Sequence, residues 1–189
     1  MSTNIMLVGV GGQGTLLASK ILGDLLTRRG QDVKVSEVHG MAQRGGSVVT
    51  YVKYGDAVHS PVIDLGQADV IVGFEILEAY RYLPYLKNGG KILASSQQVK
   101  PMPVVTGAMA YPSGIEDGIK ACAGEFCEID ALALAQRAGS VKSVNVVLLG
   151  LLAKNMDVGK EEWLTSLKNI VPAKFLDMNL KAFELGYAA

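Results

Sequence analysis

At 189 residues and 20.0 kDa, the chain can bury one core of ordinary domain size without disulfide or metal staples. Apolar residues make up 49% and charged residues 19%, with a mean hydropathy of +0.27, which excludes an intrinsically disordered chain. Lys plus Arg is 18 and Asp plus Glu is 18, so the broad positive field of a nucleic-acid or anionic-membrane binder is missing. Zero net charge gives little self-repulsion in solution, and some apolar surface is expected to be covered by a partner, a second copy being one option.

The chain opens on a strand pattern over residues 5–10 and shows no basic-then-apolar leader. Its longest strongly apolar stretch, residues 146–153, is far short of the ~18 residues of a membrane span. A soluble cytoplasmic protein is expected. Further strand signals, rich in β-branched residues, cover 33–38, 47–53, 70–74, 91–94, 104–106 and 126–129. Between the first two, Leu17, Ile21 and Leu25 step by four, as do Ala18, Leu22 and Leu26, the stripe of a largely buried helix. Arg28, Arg29 and Gly30 suit its C-terminal end. Residues 75–86 read as a second helix. Asp130 caps a third over 131–138 that Gly139 stops, and Ser143 caps a fourth, apolar nearly all round, reaching about 155. Residues 160–170 and 173–186 close the chain as amphipathic helices, with Pro172 at the start of the last.

Alternating strands and helices imply a three-layer α/β/α, Rossmann-like fold with a mostly parallel sheet. Residues 33–53 hold two strands and a glycine-rich loop with no room for a helix, so the sheet should be mixed. No repeat or linker divides the chain, and a single domain over 1–189 is expected. Cys122 and Cys127 read as packed thiols, because no other Cys or His cluster completes a metal or iron–sulfur set. Trp163, at helical spacing with Leu167 and Ile170, reads as core or interface. Tyr80, Tyr82 and Tyr85 form an aromatic patch that fits either a docking surface or a helix end packed on the sheet. Asn145, at the head of the buried fourth helix, reads as a cap-region amide.

Two loops carry the chemistry. Glycine is abundant, 22 residues, and clusters beside strands. The first loop, Gly9-Val10-Gly11-Gly12-Gln13-Gly14, follows a strand and opens a helix, with the Thr15 hydroxyl at the same place. Glycines let backbone N–H groups turn toward an anion while the helix N-terminus adds positive potential. The same spacing also serves a plain tight turn. The second loop runs Glu37-Val38-His39-Gly40-Met41-Ala42-Gln43-Arg44-Gly45-Gly46-Ser47. Arg44 offers a planar donor fork for a carboxylate or phosphate, and Gly45-Gly46 lets that group approach the backbone. Glu37, His39 and Gln43 would tune the loop. The plain alternative is that Glu37 and Arg44 pair to hold the loop together.

The first loop followed by Arg44-Gly-Gly46 resembles the gamma subunit or domain of the 2-oxoacid:ferredoxin oxidoreductases. The fuller second-loop string from Glu37 to Ser47 is similar to the beta subunit of the indolepyruvate ferredoxin oxidoreductases. Ala68-Asp-Val70, Asn88-Gly-Gly90, Asn145 through Leu149-Gly150, and Asn179-Leu180 through Ala182-Phe183 with Gly186 extend the resemblance along the chain. It implies a holoenzyme that oxidatively decarboxylates a 2-oxo acid (indolepyruvate or another arylpyruvate, pyruvate, or a branched-chain acid), forms the acyl-coenzyme A and passes two electrons to ferredoxin. It also implies that thiamine diphosphate with magnesium, and the iron–sulfur clusters, belong to a larger partner. Neither Gly23-Asp24 nor Gly55-Asp56 continues into the Gly-Asp-Gly of the thiamine motif. No catalytic residue, metal or tightly held cofactor is expected on this chain; coenzyme A is the expected cosubstrate. Gly9, Gly11, Gly12, Gln13, Gly14, Thr15, Arg44, Gly45 and Gly46 are the expected anion-binding residues. A stand-alone NAD(P)-dependent oxidoreductase, resting on the first loop and Glu37, and a purely structural docking subunit are the alternatives.

Overall fold

The computed structural model describes residues 2–40 and 45–189. Within them the strands are β1 (Ser2–Val10), β2 (Asp32–His39), β3 (Ser47–Gly55), β4 (Ala68–Gly73), β5 (Leu86–Ser95) and β6 (Glu125–Ile129), in the sheet order β2-β3-β1-β4-β5-β6. The pairs β1–β4, β4–β5 and β5–β6 are parallel, while β3 runs antiparallel to both β1 and β2. The sheet is therefore mixed, as the short connection between β2 and β3 requires.

Strand β1 shows why there are two helical layers. Ile5 and Leu7 face one core, and Met6 and Val8 face the other, following the two-residue period of a strand buried on both sides. The first core is closed by α1 (Thr15–Arg28), α5 (Ala131–Ala138), α6 (Val144–Lys154), α7 (Lys160–Ile170) and α8 (Ala173–Ala188). The second is covered by α2 (Ile76–Arg81) and α4 (Ile115–Cys122). From β1 the chain crosses through α1 to β2 on one side; from β4 it crosses through α2 to β5 on the other. The carboxyl ends of β1 and β4 thus mark the switch point where such sheets collect ligands.

Three local expectations are corrected, and one helix is added. Residues 104–106 are not a strand: they close the short helix α3 (Met102–Val105), entered through Pro101 and Pro103, with Val105 N–H donating to Pro101 O at 3.0 Å. The second helix stops at Arg81, because Pro84 forces a separate 3-10 turn over Leu83–Tyr85, and Leu86 already belongs to β5. Helix α4 went unread, although Glu116 and Asp117 in its first turn and Lys120 in its last suit its dipole. Ser143 does not cap α6; its hydroxyl donates to Ser140 O at 2.7 Å. The expected helix over 131–138 is present with those bounds, and the Asp130 carboxylate accepts from Ala133 N–H at 2.9 Å.

Helices α6 and α8 cross at contact made possible by Gly150 and Gly186. A Cβ on Gly186 would lie 1.9 Å from Val147 O, and one on Gly150 would lie 2.2 Å from Phe183 O. Both obstacles are backbone, so the helices would have to separate. Gly186→Ala should cost about 3 kcal/mol or more and lower the thermal unfolding midpoint by roughly 6–12 °C. A midpoint within 2 °C of the parent, about 0.5–1 kcal/mol by the same scaling, would show that the crossing is loose.

Candidate functional site

Both glycine loops lie at one rim because β1 and β3 are antiparallel neighbours, with Gly9 opposite Val48 and Val10 opposite Ser47. One step beyond the ladder the backbones still pair: Gly11 N–H donates to Gly46 O at 2.8 Å and Gly45 N–H to Gly11 O at 3.3 Å. Gln43 and Arg44 lie outside the described residues, as do Met41 and Ala42.

The first loop is held from inside. Gln13 Oε1 accepts from Val10 N–H at 2.8 Å, and its amide nitrogen donates to Phe74 O at 3.1 Å, linking the loop to the end of β4. Gln13 is thus a brace of the loop. Gly9 lies against that brace, for a Cβ there would be 2.6 Å from Gln13 Oε1. Gly12 and Gly14 have φ of +101° and +85°, conformations an L side chain rarely adopts. The N–H groups of Gly11 and Gln13 are occupied internally, by Gly46 O and Val10 O. Those of Gly12 and Gly14 have no partner among the described residues, and the first turn of α1 adds its own free donors. The available anion donors are therefore fewer than the sequence suggested.

A cleft of about 390 Å³ opens on this surface, lined by Gly11, Gly12, Gly14, Thr15, Leu16, Glu37, His39 and Val48. Thr15, buried at the head of α1, and Thr50, fully buried on β3, direct their hydroxyls at Glu37 Oε2, at 3.4 and 3.1 Å. Glu37 is the one carboxylate among the described lining residues, which include no Lys or Arg. Its two hydroxyl donors temper the repulsion it would exert on an incoming anion. His39 is exposed, with Nδ1 3.2 Å from Gly40 O. The structure thus brings Gly11, Gly12, Gly14, Thr15, Glu37 and His39 to one cleft, with Gly45 and Gly46 anchored beside it.

A second set of groups at the same rim was not read from the sequence. Glu75, 1% exposed, caps α2: its carboxylate accepts from Glu78 N–H at 2.8 Å, Val99 N–H at 3.0 Å and the Tyr111 hydroxyl at 2.8 Å. Burial, and then the Glu75 carboxylate it donates to, push the Tyr111 phenol far above its ordinary pKa. Buried Glu78 accepts from the Ser47 hydroxyl and, at 3.1 Å, from Arg81 Nε, so the base of the second loop is fastened to α2. The only local signal was Glu75 followed three residues later by Glu78, a capping pattern. Of the tyrosine patch, Tyr82 and Tyr85 pack on the second core with ring centroids 5.7 Å apart, while Tyr80 borders an apolar groove with Leu83, Pro84, Val104 and Met109. Trp163 is fully buried in the first core.

Of the two Gly-Asp pairs, Gly23-Asp24 lies within α1, and Gly55-Asp56 stands at the end of β3 opposite to the loops. Among the described residues no cluster of His, Cys, Asp and Glu could hold a metal ion, and no helix is long and apolar enough to cross a membrane.

This architecture, a mixed six-stranded sheet between helical layers, is shared with solved proteins. The gamma subunit of a keto/oxoacid ferredoxin oxidoreductase from Geobacter sulfurreducens superposes with a TM-score of 0.73 at 23% identity, over 98% of this chain and 96% of that one. A 2-oxoglutarate:ferredoxin oxidoreductase from Magnetococcus marinus, solved with 2-oxoglutarate, coenzyme A and succinyl-CoA bound, superposes at 0.69 and 18% identity; 99% of this chain covers 30% of that one. By sequence the chain is 41% identical to the indolepyruvate oxidoreductase subunit IorB of Thermococcus kodakarensis, over 98% of its own length and 95% of the relative. Residues 4–189 match the family described as pyruvate ferredoxin/flavodoxin oxidoreductase, and the chain belongs to that family.

The buried Glu75 carboxylate joins three segments. Glu75→Ala would leave the Val99 and Glu78 N–H groups without their acceptor, at a cost of about 2–4 kcal/mol. Limited proteolysis should then cut first between residues 96 and 112. A cleavage pattern identical to that of the parent would refute this role for Glu75.

Proposed function

We infer that this chain is the subunit of a 2-oxo acid:ferredoxin oxidoreductase that carries no thiamine. In that role it completes an active site whose carbon chemistry belongs to a larger partner. The observation that carries this reading is the full-length match to subunits of such enzymes. The paired loops give the chain a surface suited to the task. Indolepyruvate or a related arylpyruvate is the substrate class that the relatives' name supports.

Within the complex, the N–H groups of Gly12, Gly14 and the first turn of α1 receive an anionic group of coenzyme A, and the Arg44 guanidinium pairs with it. Thr15, Thr50 and Glu37 hold the cleft wall, and Gln13 keeps the loop in register with β4. The bound thiamine diphosphate of the partner supplies the carbanion chemistry, and its iron–sulfur clusters carry electrons to ferredoxin. This chain orients the thiol-bearing cosubstrate and excludes water from the joint cleft.

Reconstitution tests the reading. With 2-oxo acid, coenzyme A and a viologen dye, the partner alone should be slow and the two chains together active. Gly12→Ala, which strains the loop at a φ of +101° and misplaces its N–H, and Arg44→Ala, which removes the guanidinium, should each raise the KM for coenzyme A about tenfold, the effect of one misplaced or lost charge-assisted contact, and leave the KM for the 2-oxo acid within about twofold, under 0.5 kcal/mol. Full dye reduction by the partner alone would remove this subunit from the mechanism. Loop variants that weaken assembly without moving the KM for coenzyme A would make it a docking subunit.

A further inference from the structure

Helix α6 is apolar nearly throughout and buried along almost its whole length, yet its second residue is Asn145, 3% exposed. A buried amide in apolar surroundings costs stability unless both its ends are paired. Here both are, and the pairing fixes its direction. Asn145 Oδ1 accepts from Val146 N–H at 3.0 Å, which leaves Nδ2 to point outward and donate to Gly14 O at 3.2 Å.

Gly14 is the N-cap of α1 and has no side chain to act as a cap. Its φ of +85° turns the chain from loop to helix, and its carbonyl also accepts from Ala18 N–H at 3.2 Å. The fit is tight: a Cβ on Gly14 would lie 2.6 Å from Asn145 Nδ2 and 3.1 Å from its Cγ. Two residues 131 positions apart are thus matched, one lacking a side chain and the other filling the space with a donor.

We propose that Asn145 is the positioning residue of the anion loop: it holds the peptide after Gly14 so that the N–H of Thr15, at the head of α1, faces the cleft. The proposal rests on the coenzyme A reading given above. It assigns Asn145 no contact with the ligand. Its effect passes through the Gly14 carbonyl, whose orientation sets that of the N–H on the far side of the same planar peptide. The rest of the loop is braced by Gln13 and by the Gly11–Gly46 pair, both on the β1 side. Asn145 is the brace from the helical layer.

The test uses the reconstituted complex with Asn145→Ala and Asn145→Leu, the latter filling the space with an apolar side chain. Gly12→Ala serves as a ligand-loop control and Ser143→Ala as a helix-start control. Both Asn145 variants should raise the KM for coenzyme A about five- to tenfold, as loss of one well-placed hydrogen bond would. The KM for the 2-oxo acid should stay unchanged, and Asn145→Leu should unfold within a few degrees of the parent. Ser143→Ala should lower the unfolding midpoint without moving either KM. If Gly12→Ala raises the KM for coenzyme A and both Asn145 variants leave it at the parent value, the positioning role is overturned while the binding site stands. If all three leave it unchanged, the coenzyme A reading fails and the positioning role falls with it. Should Asn145→Ala not fold, Asn145→Leu alone decides between these outcomes.

Discussion

The arrangement depends on one constraint: β3 inserts antiparallel between β1 and β2. Without it the Gly45-Gly46 end of the second loop would have no strand to carry it back beside the end of β1. With it, the register that sets Val10 opposite Ser47 carries on into the Gly11–Gly46 hydrogen bond. The ladder then fixes the two loops relative to each other through the backbone. Side chains add to that frame: the Thr15 hydroxyl reaches Glu37, and Ser47 ties the base of the second loop to Glu78. The same insertion gives the sheet its mixed character and leaves β2 at its edge.

Much of this was legible in the chain of residues. Alternation in β1, the four-residue steps of Leu17, Ile21 and Leu25, and the Asp130–Gly139 punctuation of α5 are local signals, and local signals survive folding. The shortage of residues between 33 and 53 correctly demanded an antiparallel element. The failures came where local preference met tertiary context. Val104, Val105 and Thr106 are good strand formers, but the prolines just before them favour a helical start and they lie in no strand of the sheet. Pro84 broke a pattern that hydrophobic periodicity alone would have continued.

Within the site, the glycines and Thr15 were legible because backbone geometry is encoded by what a residue lacks. The division of labour was not. Gln13 reads as a loop amide free to meet a ligand, and only its distances to Val10 N and Phe74 O reveal a brace. Glu75 reads as an ordinary helix-opening acid, and its ties to Val99 and Tyr111 join segments 24 and 36 residues away. Sequence spacing carries no record of such contacts. Asn145 is the intermediate case. Its oddity, an amide in an apolar helix, was visible, and its partner was not.

The place of Glu37 changes what the glycine motif can mean. In dinucleotide-binding folds the acidic group that grips the ribose stands on the strand beside the one feeding the phosphate loop. Here that neighbour is occupied, and the acid stands one strand farther out, a lateral step of about 4.8 Å. At the usual distance from the loop stands β3 instead, presenting Val48 to the cleft. The motif's glycines thus keep their backbone role while the acidic partner that usually completes it is displaced by the width of one inserted strand.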